Sequence, residues 1–349
     1  MINSVQSSPE NVSIDTTSIR QREHLIARKA RLKGLGEPLG LGAALLVLIV
    51  IFSFINPRFA TVANLQNILD QTSLPLIIAV GATLVILLGS IDLSVEGVMG
   101  AAGMAWILLT ANSRGGIDLG PAAWLVGIGV GMGLGLVTGL IHTRVKVPSF
   151  IVSLGMWYVG LGLATIMYGT DVIPRISDNG VSIWSTQAPL ILPNSFFLAA
   201  AVVVIGAALV RFTRLGRVTL AIGNNEAVAL ENGLPVDRIK ITVFVIAGLL
   251  SGLAGILATM KLGAGSPTVG SGLLFVVIPA VVIGGTSLGG GRGGVLKTTL
   301  GVFLLTVLNN GLVVSGVDAS FQSAVSGAIL IVAITIAAWS QRDRLRIAK

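Results

Sequence analysis

Cysteine is absent from the chain, which excludes disulfide cross-links and thiolate metal sites and leaves the redox compartment unreadable. Charge is scarce: 11% of residues are Asp, Glu, Lys or Arg, against 53% hydrophobic residues and 45 glycines, and the mean hydropathy is +0.91. An ordinary soluble domain carries about a quarter charged residues. The two histidines, His24 and His142, lie in or beside basic stretches. No nucleophile–base or metal-ligand spacing accompanies them, so neither an intramembrane enzyme nor a resident cofactor or metal is expected. A phosphate loop is missing as well. In the glycine-rich "LGGGRGGVLKTT", Val295 and Leu296 separate Gly294 from Lys297, whereas a nucleotide loop needs Gly-Lys-Ser/Thr contiguous after a strand. Any ATP-driven work by this chain therefore needs a partner.

What is present is a series of apolar runs long enough to cross about 30 Å of hydrocarbon, without the weak alternating pattern of a barrel. The expectation is an all-α polytopic membrane protein of about ten transmembrane helices. The runs fall at about 39–56, 74–89, 95–110, 121–142, 149–168, 195–210, 241–260, 267–284, 295–314 and 320–339. An even count puts both ends on one side. Alternating the loops then places all of the 23 lysines and arginines except Arg58, Arg114, Arg175 and Lys261 on the N-terminal side. By the positive-inside bias that side is the cytoplasm. The same bias accounts for the net charge of +8, so nucleic acid need not be invoked. The chain divides into a polar and basic segment 1–38, a transmembrane domain 39–339 and a basic tail 340–349. The leader is too long and polar for a secretory signal, which makes Leu39–Ile55 a retained anchor; its basic stretch is either a solvated tail or an amphipathic surface helix.

Local signals refine the spans. Pro75, Pro121 and Pro148 read as first-turn prolines. Gly127, Gly131, Gly135 and Gly139 form a small-residue face, suited to close helix packing or to a sliding gate. Trp106, Trp124, Trp157, Trp184 and Trp339 read as interfacial anchors. The segment 266–285, with Pro267 and Pro279, reads as a broken or kinked crossing, which lipid permits only where neighbours take the freed backbone groups.

Two interruptions carry the functional signal. In "LLGSIDLSVEGVMG", residues 87–100, the runs on either side are short for a crossing, so "GSIDLS" reads as a break near the cytoplasmic edge of the hydrocarbon, with Asp92 or Ser94 accepting from the free N–H groups of the next helix. Glu96 reads as a snorkelling or water-facing first-turn acid. In the second half "VVIGGTSLGGGRGG", residues 281–294, pairs Gly285-Thr286 with Gly89-Ser90, and breaks at corresponding places in two halves point to a transport site. Candidate path residues are Ser90, Asp92, Ser94, Thr286 and Ser287, together with Asn309 and Asn310, whose amides either bond across helices or touch solute. Asp92 either caps a helix or lines the path; in the latter case a secondary transporter coupled to protons or sodium is the alternative.

The longest cytoplasmic loop, 211–240, holds "NNEAVALENGLP". Asn225 serves as N-cap, Glu226 falls in the first turn, Gly233 terminates and Pro235 follows, the punctuation of a two-turn helix. So short a helix must dock on something, either its own bundle or a soluble subunit.

Five ordered stretches, "VGATLVILLGSIDLSVEGVMG", "GLIHTRVKVPSFIVSLGM", "AIGNNEAVALENGLPVDRIK", "AVVIGGTSLGGGRGG" and "LNNGLVVSGV", resemble the permease subunits of ribose-type ATP-binding cassette importers, and more distantly the branched-chain amino acid permeases. The resemblance covers about residues 40–340. It implies a bacterial inner-membrane protein paired with an identical or sister permease chain, the solute path lying between the two. It also implies a cytoplasmic ATPase docked around Asn225, Glu226, Ala227, Glu231, Asn232 and Gly233, and a periplasmic or extracellular sugar-binding protein. The chain departs from that pattern at Thr138, where the family often has Asn, and at Leu274-Phe275-Val276, where it often has an aromatic–acidic pair; a related solute such as a polyol or a furanosyl signal molecule fits these departures.

Overall fold

The computed structural model describes residues 39–170, 172–178, 181, 184–188 and 192–318, and part of 320–335. The segment 1–38 with His24, the tail 340–349, Trp339 and part of the expected span 320–339 lie outside the described residues. Eleven helices can be placed among the rest: α1 Leu39–Ile55, α2 Val62–Leu87, α3 Val95–Leu108, α4 Ala122–Leu140, α5 Ser149–Tyr168, α6 Asn194–Phe212, α7 Arg214–Asn224, α8 Glu226–Glu231, α9 Val236–Leu262, α10 Leu274–Ile283 and α11 Val295–Val314. Among the described residues the β-structure is two isolated bridges, Asn112–Ile176 and Arg175–Ala264. Six helices, α2, α4 with its π-helical extension to Val145, α5, α6, α9 and α11, are long and apolar enough to cross a membrane; α1, α3 and α10 are shorter and apolar. The chain is a polytopic membrane protein.

At the centre stands α3, whose residues are buried from Val95 to Ile107, as befits a helix apolar on every side but for Glu96. Glycine lets its neighbours approach. A Cβ on Gly131 would strike the Gly248 carbonyl and one on Gly135 the Phe244 carbonyl, so α4 lies backbone to backbone on α9. The stripe on α4 is thus a packing seam. Gly97 and Gly160 bring α3 equally close to α5.

Three expectations need correction. The second helix starts at Val62, capped by Thr61, not near residue 74, and Pro75 is buried in its interior. Hydropathy misses the first turns because they hold Asn64, Asn67 and Asp70; Asn64 bonds Asn310 on α11, and Asp70 is met from α6 and α9. Asp70 Oδ1 pairs with Lys261 Nζ at 2.7 Å and accepts from Ser195 Oγ at 2.7 Å. Satisfied in this way, a polar turn can lie among apolar helices. Second, residues 211–240 hold two helices, not one: α7 is amphipathic and buries Val218, Thr219 and Ile222. Third, Trp106 is fully buried, edge-on to Trp124 with 6.3 Å between ring centroids, so it is a core residue and not an interfacial anchor.

Candidate functional site

Helix α2 stops at a glycine in the left-handed region, Gly89, with φ +78°. Gly89 N donates to Ile86 O at 2.8 Å and Ser90 N to Val85 O at 3.1 Å, the paired bonds that close a helix C-terminus. Helix α10 stops in the same way. Gly285 has φ +79°, Gly285 N donates to Val282 O at 2.9 Å and Thr286 N to Val281 O at 3.1 Å. The weak sequence match between the two breaks is therefore a match of backbone bonds.

Beyond the first glycine the chain runs without helix through residues 90–94 along the start of α5. Ile91 N donates to Ser149 Oγ at 3.0 Å and Leu93 N to Ser153 Oγ at 3.0 Å. Asp92 Oδ1 accepts from Ser94 N at 2.8 Å and from Ser94 Oγ at 2.6 Å. Asp92 thus folds onto Ser94, the residue before α3, and Ser94, expected as an alternative acceptor, donates; neither bond comes from an N–H within α3, whose N-cap makes no side-chain bond, which corrects the expectation of a cap. After the second glycine the loop turns on itself: Ser287 N bonds Arg292 O at 2.9 Å and Gly290 N bonds Ser287 O at 2.9 Å. Behind it runs a chain of buried hydroxyls. Thr83 Oγ1 donates to Thr298 Oγ1 at 3.0 Å, and Thr298 lies 3.4 Å from Thr286 Oγ1.

The two breaks meet. Gly291 N donates to Leu87 O at 2.9 Å, and α7 closes the junction from outside the bundle. A Cβ on Gly223 would collide with the Leu87 carbonyl and the Gly291 amide, while Asn224 Nδ2 donates to Gly291 O at 3.2 Å. Next along the chain, Asn225 caps α8 by accepting from Val228 N at 3.2 Å, and Gly233, φ +72°, ends it. Glu226 faces back to α9, where Lys240 Nζ reaches its oxygens at 2.7 and 2.8 Å. Val228 and Leu230 stay exposed beside Ala227, Glu231 and Asn232.

Farther along α11 the two asparagines separate. Asn310 is buried and its Oδ1 accepts from Asn64 Nδ2 at 3.0 Å. Asn309 lines a small cavity with Phe275, Val276, Leu305 and Ile329. The candidate path residues thus form two groups, Ser90, Asp92, Ser94, Thr286 and Ser287 at the breaks and the asparagines beyond.

Glu96 corrects its expectation. It is 7% exposed, and Oε1 accepts from Gly272 N at 3.0 Å and Leu274 N at 3.2 Å, so it receives the start of α10 instead of facing water.

Residues 64–334 match the family described as branched-chain amino acid transport system/permease component. The chain belongs to that family. The permease is 38% identical over 297 residues to the ribose import permease protein of Escherichia coli (strain K12), which covers 84% of this chain and 91% of the relative. It is 36% identical over 311 residues to the ribose import permease protein of Bacillus subtilis (strain 168), covering 88% and 95%. An L-arabinose transporter permease protein of Azospirillum brasilense is 34% identical over 308 residues, covering 87% and 88%. No solved structure matches the chain.

Four residues that hold this arrangement together escape sequence reasoning. Ser149 and Ser153 do leave a trace, two serines at helical spacing in "PSFIVS" after a proline start, which marks one polar edge on an otherwise apolar helix. Gly223 and Asp70 leave none, because what makes them matter arrives from distant parts of the chain.

Proposed function

We propose that this permease is the membrane-embedded subunit of an ATP-binding cassette importer, carrying a ribose-like or related polyhydroxylated solute across a bacterial inner membrane while a separate ATPase subunit drives it. The observation that carries the reading is the seating of Gly223 against Leu87 and Gly291. A displacement of α7 and α8 there must move the ends of α2 and of the 284–294 loop together, since no gap separates the backbones. With no phosphate loop of its own, the chain needs an ATPase to supply that displacement. Val228, Leu230 and the exposed rim around Asn225, Glu226, Ala227, Glu231, Asn232 and Gly233 form the face offered to it.

In this reading ten crossings place both termini and the 211–240 region in the cytoplasm, in keeping with the distribution of lysine and arginine. The segments 1–38 and 340–349 flank a single transmembrane domain. A second permease chain completes the path, with Asn309, Asn310 and the two breaks along it. A sugar-binding protein docks at the opposite end, where three connections are knitted by Ser113 N to Arg175 O at 2.8 Å, Ile176 N to Gly263 O at 3.1 Å and Gly265 N to Pro174 O at 2.8 Å. The sugar assignment draws on the relatives' ribose and L-arabinose names.

The test is reconstitution in liposomes with the accompanying ATPase and binding protein. Ribose or arabinose uptake that requires ATP is the expected result. Nucleotide hydrolysis by the purified chain alone, or labelling of residues 211–240 from the exterior of cells, would overturn the reading.

A further inference from the structure

We propose that Glu96 is a positioning residue for the wall of the solute path: reaching across from α3, its carboxylate fixes the first turn of α10 and places the protein's own negative charge at a helix end that would otherwise attract an acidic solute. The inference rests on the permease reading above.

Helix α10 begins at a partly buried turn, with Leu274 buried and Ser271, Gly272 and Phe275 exposed beside it. It has 10 residues and ends at the second break, so its start lies about 15 Å away along the helix axis. The first N–H groups of any helix lack intrahelical partners and carry the positive end of the dipole. Its own side chains do nothing for them: Leu273 at the N-cap makes no side-chain bond and the first turn holds no acid. The carbonyls of Gly272 and Leu273 take the Phe275 and Val276 N–H groups, and Glu96 takes those of Leu274 and of Gly272 just before the helix, from 178 and 176 residues away in sequence. The next two residues, Phe275 and Val276, line the cavity with Asn309. Glu96 thereby ties the cavity wall to α3.

Two jobs are folded into that contact, and they separate chemically. Holding the turn needs only an acceptor oxygen, which glutamine also has. Refusing anions needs the negative charge, which glutamine lacks. A carboxylate-bearing solute crossing a membrane is commonly met by the open N-terminus of a broken helix; here that position is taken. A neutral polyol or sugar loses nothing by this, whereas an acidic solute meets repulsion.

The absence of cysteine makes the test direct, because Phe275→Cys introduces a unique thiol. In membranes holding the full importer, the thiol's rates with an anionic and a cationic methanethiosulfonate reagent are measured beside ribose uptake, with Glu96, Glu96→Gln and Glu96→Ala. Glu96→Gln is expected to keep uptake within about threefold and to shift the anionic-to-cationic rate ratio upward by roughly three- to tenfold, the size of a unit charge acting at a helix end. Glu96→Ala is expected to lose uptake by more than about tenfold at unchanged membrane yield, since the buried Leu274 N–H and the part-buried Gly272 N–H lose their acceptor. An unmoved rate ratio in Glu96→Gln, an alanine variant that transports normally, or a thiol that neither reagent reaches would overturn the proposal. Because the thiol rates need no solute, a parent complex that fails to take up ribose would count against the sugar assignment alone.

Discussion

At the first break, residues 88–94, the freed backbone is received by side chains of another helix; at the second, residues 284–294, it is received by the loop's own turn and by the end of α2. Ser149 and Ser153 hold Ile91 and Leu93 by hydroxyls fixed on α5. The second loop has Gly285, Gly290, Gly291 and Gly293 at positive φ, where glycine alone sits without strain and where the chain keeps the most freedom. Identical helix endings thus lead into a fixed strut on one side and an adaptable loop on the other. Leu87 O and Gly291 N are where the two are joined. Within the proposed function the first break would serve as scaffold, and the second, joined to the end of α2, as the part moved through α7.

The sharpest way to break this comparison is at the junction. A side chain on Gly223 meets backbone on two sides, and backbone cannot rotate aside. Gly223→Leu is expected to reduce uptake by roughly a hundredfold and Gly223→Ala by roughly tenfold, effects of the size overpacking produces. ATP hydrolysis by the assembled complex, measured alongside, should persist and lose its dependence on solute. Uptake equal to the parent in Gly223→Leu would show that α7 does not act on the breaks. A second pair of variants separates strut from loop. Ser153→Ala leaves the Leu93 N–H without its acceptor, a cost of about 1–3 kcal/mol, and should lower the thermal midpoint in detergent with little change in uptake per folded molecule. Gly291→Ala places a side chain at φ +69° against Asn224, and should depress uptake more than the midpoint. Reversal of that pattern would exchange the roles of the two breaks.

How far the sequence discloses this arrangement depends on whether a residue's partner is near in the chain. Helices α5 and α11 fall on the expected residues 149–168 and 295–314 because their boundaries are set locally, by Pro148 before one and by Gly294 before the other. Asn225 and Gly233 punctuate α8 as read, for the same reason. The start of α2 is illegible because Asp70 looks like a polar residue outside the membrane until Lys261, from α9, is brought to it. Glu96 fails likewise: an acid in a first turn reads as snorkelling or water-facing, and only the fold shows that it serves α10. Trp106 misleads through its position near a run's end, since α3 is too short for its end to be the membrane surface.

Asp92 offers the smallest expected effect and the cleanest division between the two transport mechanisms. Its Oδ1 accepts from Ser94 N at 2.8 Å and from Ser94 Oγ at 2.6 Å. Asparagine presents an oxygen in the same place, while alanine leaves Ser94 N without its acceptor, a cost of about 1 kcal/mol. If Asp92 only shapes the strut, Asp92→Asn should take up solute within about twofold of the parent across roughly pH 6 to 8, and Asp92→Ala should show a lower midpoint. A proton or sodium carrier would behave otherwise, because its coupling acid must bind and release the ion in each cycle and an amide can do neither. Uptake abolished in Asp92→Asn, with the parent's uptake sensitive to an uncoupler and indifferent to ATP depletion, would transfer the first break from scaffold to machinery and with it dissolve the contrast drawn between the two breaks.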